Sequence, residues 1–331
     1  MNNIMIIAEA GVNHNGDINT AMRLIDAASA AGADAIKFQT FKTERLAVPD
    51  ARKAEYQIHN TGQSVSQFEM LKGLELSWKD FETLYDYCSA KNIQFLSSPF
   101  DEESVDFLDQ LGVEIIKIPS GEITNYLYLK KIAALKKPVI LSTGMATVEE
   151  IDQALSLLNE SGREIILLHC SSTYPTPMGD VNLKAMNTLN KLFHKRVGYS
   201  DHTRGTEVAV AAAALGACVI EKHMTLDKTM AGPDHKASLE PEEFRRLVKA
   251  VRNIEQALGS GVKEPTENEL KNRDCVRKYL VAAKDIKKGE VFTPDNLCAK
   301  RCGYGLSPMK LNDILGKAAE RNYLKDERIG E

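Results

Sequence analysis

Ala35-Ile36-Lys37-Phe38-Gln39-Thr40-Phe41 sets a lysine inside an apolar run, and seven further runs of similar make-up decide the fold. Those lie at 4–11, 93–100, 114–120, 138–144, 164–170, 197–202 and 218–225. Amphipathic stretches stand between them, among them 19–31, 77–91, 147–160 and 240–258. Two carry helix start signals: Thr147 ahead of Glu149 and Glu150, and Pro241 behind Glu240. Strands that are continuously apolar, rather than alternating, are covered on both faces, as in a parallel sheet. Eight βα units in about 260 residues match a (β/α)8 TIM barrel in count and length. An open doubly wound sheet shows the same alternation, usually with fewer strands and often with a glycine-rich phosphate loop. Neither G-x-G-x-x-G nor G-x-x-x-x-G-K-[ST] occurs here, which favours the barrel.

The chain then divides into a barrel at 1–260, a linker at 261–277 and a small appended domain at 278–331. The linker is polar and charged and follows Gly259-Ser260-Gly261. The tail has its own apolar set: Leu280, Val281, Ile286, Val291, Phe292, Leu297, Leu311, Ile314 and Leu315. The second unit carries an insertion at 42–75 that is polar and reads as a loop over the barrel mouth.

With 43% hydrophobic and 27% charged residues, the 331-residue chain has the make-up of a globular protein. A net charge of -4 offers no basic surface for nucleic acid. No apolar stretch approaches the roughly 20 residues that cross a bilayer. Met1-Asn2-Asn3 lacks the basic start of a signal peptide, so a cytoplasmic location is expected. The six cysteines are scattered, and none completes a zinc spacing; reduced thiols are expected.

Chemistry in a barrel of this kind sits at the C-terminal ends of the strands. There the runs end in polar residues: Glu9 with Asn13-His14-Asn15-Gly16, Lys37 and Gln39, Ser97-Ser98, and Lys117 with Ser120-Gly121-Glu122. Ser142-Thr143-Gly144, Ser171-Ser172 with Tyr174, Ser200-Asp201-His202 and Glu221-Lys222-His223 follow. A lysine inside an apolar strand must meet an anion. For Lys37 and Lys117 that anion is either an internal carboxylate, Glu9 or Glu122, or a phosphate or carboxylate of a substrate. His202 and His223 end neighbouring strands; they are either hydrogen-bonded residues or a metal pair with open positions, which Glu9 could join. Asp234, in the turn Gly232-Pro233-Asp234-His235, either caps that turn or touches substrate hydroxyls. His14, His169 and His235 read as orienting groups.

Together these strings resemble the sialic acid synthase family over essentially the whole chain. The runs that carry the resemblance are Ala8-Glu9-Ala10-Gly11, Lys37-Phe38-Gln39-Thr40, Lys117-Ile118-Pro119-Ser120-Gly121-Glu122 and Leu141-Ser142-Thr143-Gly144-Met145. Tyr174-Pro175-Thr176-Pro177, Tyr199-Ser200-Asp201-His202-Thr203, Glu221-Lys222-His223 and Gly232-Pro233-Asp234-His235 continue it. The tail is similar to the family's antifreeze-like (SAF) domain, with Asp285-Ile286-Lys287-Lys288-Gly289-Glu290 and Lys300-Arg301.

The resemblance implies condensation of phosphoenolpyruvate with an unphosphorylated acetamido sugar, with release of phosphate. It implies a divalent ion, Mn2+ with Mg2+ or Co2+ as alternatives, on His202 and His223. Phosphoenolpyruvate is expected at Lys37, Lys117, Ser120, Thr143, Ser172, Tyr174 and Ser200, with Gln39 among the substrate contacts. Glu9, Asp234 and Arg301 are expected near the sugar, and Glu122 is expected to handle the proton of the attacking water. The family pairs as a domain-swapped homodimer in which the arginine matched by Arg301 reaches the partner's barrel. The family usually follows that arginine with proline, and here Cys302 stands there. The wording is closer to legionaminate than to N-acetylneuraminate synthases, so a 2,4-diacetamido sugar stands beside N-acetylmannosamine as substrate. A pseudaminate-type or phosphorylated-aldose synthase, or a two-histidine metal hydrolase on the same barrel, is the alternative.

Overall fold

The computed structural model describes residues 4–62 and 64–330; the reading of Met1-Asn2-Asn3 lies outside them. The chain forms two compact units, Met1–Gly259 and Ser260–Glu331. In the first, eight strands run parallel: β1 Met5–Gly11, β2 Ala35–Thr40, β3 Gln94–Pro99, β4 Ile116–Ile118, β5 Val139–Ser142, β6 Ile165–Cys170, β7 Arg196–Asp201 and β8 Val219–His223. Their order is β3-β2-β1-β8-β7-β6-β5-β4, and β3 and β4 lie side by side, so the sheet closes into the expected barrel.

Side chains on a strand alternate between the two faces. Every second residue therefore faces the barrel interior. Low in the barrel this gives the apolar cluster Ile7, Ala35, Leu96, Ile140, Leu168 and Val219. β7 contributes Gly198 at this level, where a Cβ would lie 2.5 Å from the Val219 carbonyl oxygen; no larger residue fits. Two residues further along each strand the same face carries Glu9, Lys37, Ser98, Lys117, Ser142, Cys170, Ser200 and Glu221. The polar layer is thus stacked on an apolar floor.

The other strand faces pack against the helices. Helix Ile18–Ala31 buries Ala21, Leu24, Ile25 and Ala28, the spacing of one helical stripe. Helix Val148–Leu158 begins at Thr147, whose side chain accepts from Glu150 N–H while Glu150 reaches back, a capping box. Helix Pro241–Leu258 buries Phe244, Leu247, Val248 and Val251 on one face. Full burial of each such leucine or phenylalanine contributes about 1.5–3 kcal/mol.

The insertion departs from the expectation of a loop. It contains three short helices, Thr43–Leu46, Glu55–Thr61 and Gln67–Lys72. Glu75 ties its end to its start by accepting from Thr43 N–H at 3.0 Å and pairing with Lys42 at 3.1 Å.

In the second unit, β9 Tyr279–Ala282 pairs antiparallel with β10 Leu297–Lys300. Its core joins Leu280, Ala282, Ile286, Phe292, Leu297, Ala319, Tyr323 and Ile329. Leu311, Ile314 and Leu315 pack on it, whereas Val291, expected in the core, is exposed. The segment expected as a linker contains the exposed polar helix Glu267–Val276. Among the described residues no helix is long and apolar enough to cross a membrane.

Candidate active site

The polar layer is a charge network. Lys37 Nζ lies 2.7 Å from Glu9 Oε2 and 3.8 Å from Glu221 Oε2, and donates to Ser98 Oγ at 3.1 Å. Lys117 Nζ donates to Ser142 Oγ at 2.7 Å and lies 3.9 Å from Glu221 Oε2. Glu221 therefore sits between the two lysines, and its Oε1 accepts from Ser200 Oγ at 3.0 Å. All four charged side chains are buried. Burial alone would raise the Glu221 carboxyl, but Lys117 and Lys37 outweigh it and hold it low. Burial also works against the Lys37 ammonium, and Glu221 and Glu9 outweigh that, keeping its pKa raised. Lys117 is lowered by burial, with the like charge of Lys37 adding to the effect. Glu9 is pushed up to about 7 by burial, only partly offset by Lys37.

His202 and His223 stand above this layer, ring centroids 5.4 Å apart. His202 Nδ1 lies 2.6 Å from the Ser171 carbonyl oxygen. That carbonyl can only accept, so Nδ1 carries the hydrogen and Nε2 keeps its lone pair. His223 Nδ1 is buried without a hydrogen-bond partner. Burial holds both imidazoles neutral, His223 the more strongly. Two buried neutral imidazoles, one oriented through its far nitrogen, fit the donor set of a borderline divalent ion. Among the described residues no group of three or more histidine, cysteine or carboxylate side chains is arranged to hold a metal. Glu9 is engaged with Lys37 rather than free as a third ligand. The remaining coordination positions would fall to water and substrate, the arrangement of an open site.

The network and the histidines open on one cavity of about 420 Å3, within the range of small-molecule sites. Tyr174 covers the histidines, its ring 4.2 Å from His202 and 5.7 Å from His223. Tyr56, from the insertion, packs on Tyr174 at 4.9 Å. Asn60 of the same helix donates to the Pro233 carbonyl at 2.6 Å, fastening the insertion to the loop that holds Asp234. Asp234 makes no side-chain cap for the turn that follows it. Its Oδ1 is buried without a partner, and burial pushes its carboxyl up to about 6. Of its two sequence readings, the turn cap is thereby excluded.

Eleven of the expected site residues line this cavity: Glu9, Lys37, Gln39, Lys117, Ser120, Ser172, Tyr174, Ser200, His202, His223 and Asp234. Three do not. The Glu122 carboxylate turns to the Asn125 side chain at 2.7 Å, and Thr143 Oγ1 donates to the Leu168 carbonyl at 3.0 Å. Arg301 is exposed on the second unit. Of the two carboxylates weighed as the internal partner of Lys37, Glu9 fills that place and Glu122 does not. The sequence reading missed Glu221 as the carboxylate shared by both lysines, Ser98 and Ser142 as their hydroxyl partners, and Tyr56. The first three have a signal: each lies two residues from an interior position on its own strand. Tyr56 has none, because an insertion has no strand periodicity.

Residues 24–263 match the NeuB family, and residues 277–329 match the SAF domain. The N,N'-diacetyllegionaminic acid synthase of Campylobacter jejuni is 54% identical, with all of both chains covered. The protein of the same name from Legionella pneumophila is 48% identical over 96% of this chain and 90% of that one. The crystal structure of N-acetylneuraminic acid (sialic acid) synthetase from Leptospira borgpetersenii, in complex with citrate, matches with a TM-score of 0.73 at 39% identity. That match covers 82% of this chain and 91% of the other. On family match, identity and coverage together, this chain belongs to the NeuB family and ends in a SAF domain.

Proposed function

We propose that this protein is a nonulosonic acid synthase that joins phosphoenolpyruvate to 2,4-diacetamido-2,4,6-trideoxymannose, giving N,N'-diacetyllegionaminate and phosphate. The observation that carries the reading is the meeting of two buried lysines and two neutral buried histidines on a single cavity. The names of the two relatives at 54% and 48% identity support the choice of sugar.

The lysines suit the phosphate and carboxylate of phosphoenolpyruvate, and Ser120, Ser172 and Ser200 supply hydroxyls around it. Holding the enol C3 beside the sugar aldehyde turns an encounter of two substrates into a step within one complex. A divalent ion on His202 and His223, Mn2+ in our reading, supplies Lewis-acid stabilisation of the charge that grows on the aldehyde oxygen when bound. C3 attacks the aldehyde carbon, which becomes the new hydroxyl-bearing centre. Water adds at C2, and phosphate then leaves with cleavage of the C–O bond. Glu9, on the cavity with its carboxyl held at about 7, is better placed for the proton of that water than Glu122. Asp234 accepts from sugar hydroxyls. The reading includes a cytoplasmic homodimer in which Arg301 serves the partner's site.

The test is phosphate release from phosphoenolpyruvate with Mn2+, offering the 2,4-diacetamido sugar and N-acetylmannosamine separately. Release with the diacetamido sugar alone is expected. Release with N-acetylmannosamine alone moves the reading to N-acetylneuraminate synthesis, and release with neither removes it. Chelation by EDTA should abolish release, and added Mn2+ should restore it.

A further inference from the structure

The cavity has two unlike sides. One is the polar layer of lysines, carboxylates and histidines. The other belongs to the insertion, where Leu46, Met70 and Leu71 are half-buried and border the cavity. They pack on the buried patch of Val12, Phe41 and Leu74, so their undersides are closed and their outer edges are free to meet a ligand. The Thr61 hydroxyl donates to the Gln57 carbonyl at 2.7 Å and lies 3.9 Å from the Met70 sulfur. Ser66 and Glu69 cap helix Gln67–Lys72 reciprocally and hold its first turn. The insertion's cavity-lining glutamines are occupied with each other, Gln67 donating to Gln57 Oε1 at 3.4 Å.

None of the steps above uses this wall. It rests on the proposed reaction for its orientation: phosphoenolpyruvate at the lysines and the aldehyde carbon at the histidines leave the far end of the open-chain sugar directed away from the polar layer. We infer that Met70 and Leu71 form the subsite for the C6 methyl group of a 6-deoxy sugar and select against a 6-hydroxyl. A methyl group on this wall leaves water for hydrocarbon. A hydroxyl there loses its hydrogen bonds to water and gains none, and a methyl-sized difference of this sort gives roughly 10- to 200-fold discrimination.

The experiment compares two sugars that differ only at C6, 2,4-diacetamido-2,4,6-trideoxymannose and 2,4-diacetamido-2,4-dideoxymannose, by phosphate release with Mn2+. The wild type should favour the 6-deoxy sugar by about tenfold or more in kcat/KM. Met70→Ser and Leu71→Asn, made separately, should each move that ratio toward unity with KM for phosphoenolpyruvate unchanged. Met70→Leu should keep it. A wild-type ratio near one, or a ratio that survives both polar variants, overturns the inference and leaves the proposed reaction standing. Failure of the wild type to release phosphate with either sugar overturns both together.

Discussion

Asp201 and Lys222 pair with no side-chain exposure, and their removal gives a sharp measure of what the barrel spends to hold its histidines. They are register partners on β7 and β8, and each directly precedes a histidine of the site. Lys222 Nζ lies 2.6 Å from Asp201 Oδ2 and donates to the Thr203 carbonyl at 2.9 Å. Asp201 Oδ1 accepts from the Thr203 N–H and hydroxyl at 2.9 and 2.8 Å. Lys222→Met leaves Oδ2 a buried carboxylate oxygen without its cation, a change that costs about 3–5 kcal/mol. At about 2–4 °C per kcal/mol for a unit of this size, the melting midpoint should fall by roughly 6–20 °C. The single tryptophan, Trp78, stacks on Phe107 in the first unit, so its fluorescence in urea follows that unit. Asp201→Asn combined with Lys222→Met removes the stranded charge and should be more stable than Lys222→Met alone. A loss below about 1 kcal/mol for Lys222→Met, or a double variant no better than the single one, would refute the reasoning.

Glu9 titrates at about 7 in the free site, so if it takes the water proton, kcat/KM should rise with pH through that value; Glu9→Gln should flatten the limb. Asp234 bears on stability with a definite sign. Its folded pKa of about 6 lies above the ordinary value of 3.8, so the folded state binds the proton more tightly and stability is lost as pH rises between the two. Asp234→Asn escapes that loss: in urea it should gain up to about 3 kcal/mol over wild type above pH 6 and little near pH 4, while turning over sugar poorly. A gain equal at both pH values would show that the carboxyl is not desolvated. If the protein forms the proposed domain-swapped homodimer, Arg301→Ala and His223→Ala protomers, each inactive alone, should regain about a quarter of wild-type activity after mixing and re-pairing. No recovery in re-paired dimers would place Arg301 outside the partner's site.

The barrel was legible because its strands are short, apolar and repeated; the eight expected runs overlap the eight strands within a few residues at each end. Lys37 and Lys117 announced the site because an ammonium inside such a run has to be compensated. The histidines announced it because they end adjacent strands. Glu221 was passed over although it stands in the same tripeptide as His223, since a string read as a unit hides which of its residues face inward. Alternation separates them: Glu221 and His223 look into the barrel, and Lys222, between them, looks out to Asp201. The direction of the Glu122 side chain is hidden for a different reason. This residue follows β4 in the 3-10 turn Ser120–Glu122, where strand alternation no longer governs direction, and Asn125 holds it off the cavity. The helices of the insertion, with Tyr56, Met70 and Leu71 on them, escaped because each is too short for a period to show through polar sequence.

The two readings of the strand lysines, internal pairing and substrate capture, turn out to be compatible once the carboxylates are counted. Without a ligand, Lys37 and Lys117 meet Glu9 and Glu221, which spares the barrel two uncompensated buried cations. The arrangement is not balanced evenly. Glu221 is shared between both lysines and held ionised by them, while Glu9, pushed up to about 7 by burial, is divided between its two forms near neutral pH. When Glu9 is protonated, the cluster carries two cations against one anion and is short of negative charge beside an open cavity. An incoming phosphate or carboxylate would supply it. A site made of two full ion pairs would resist an anion; one pair with a carboxyl poised near neutrality makes room for it without stranding either lysine.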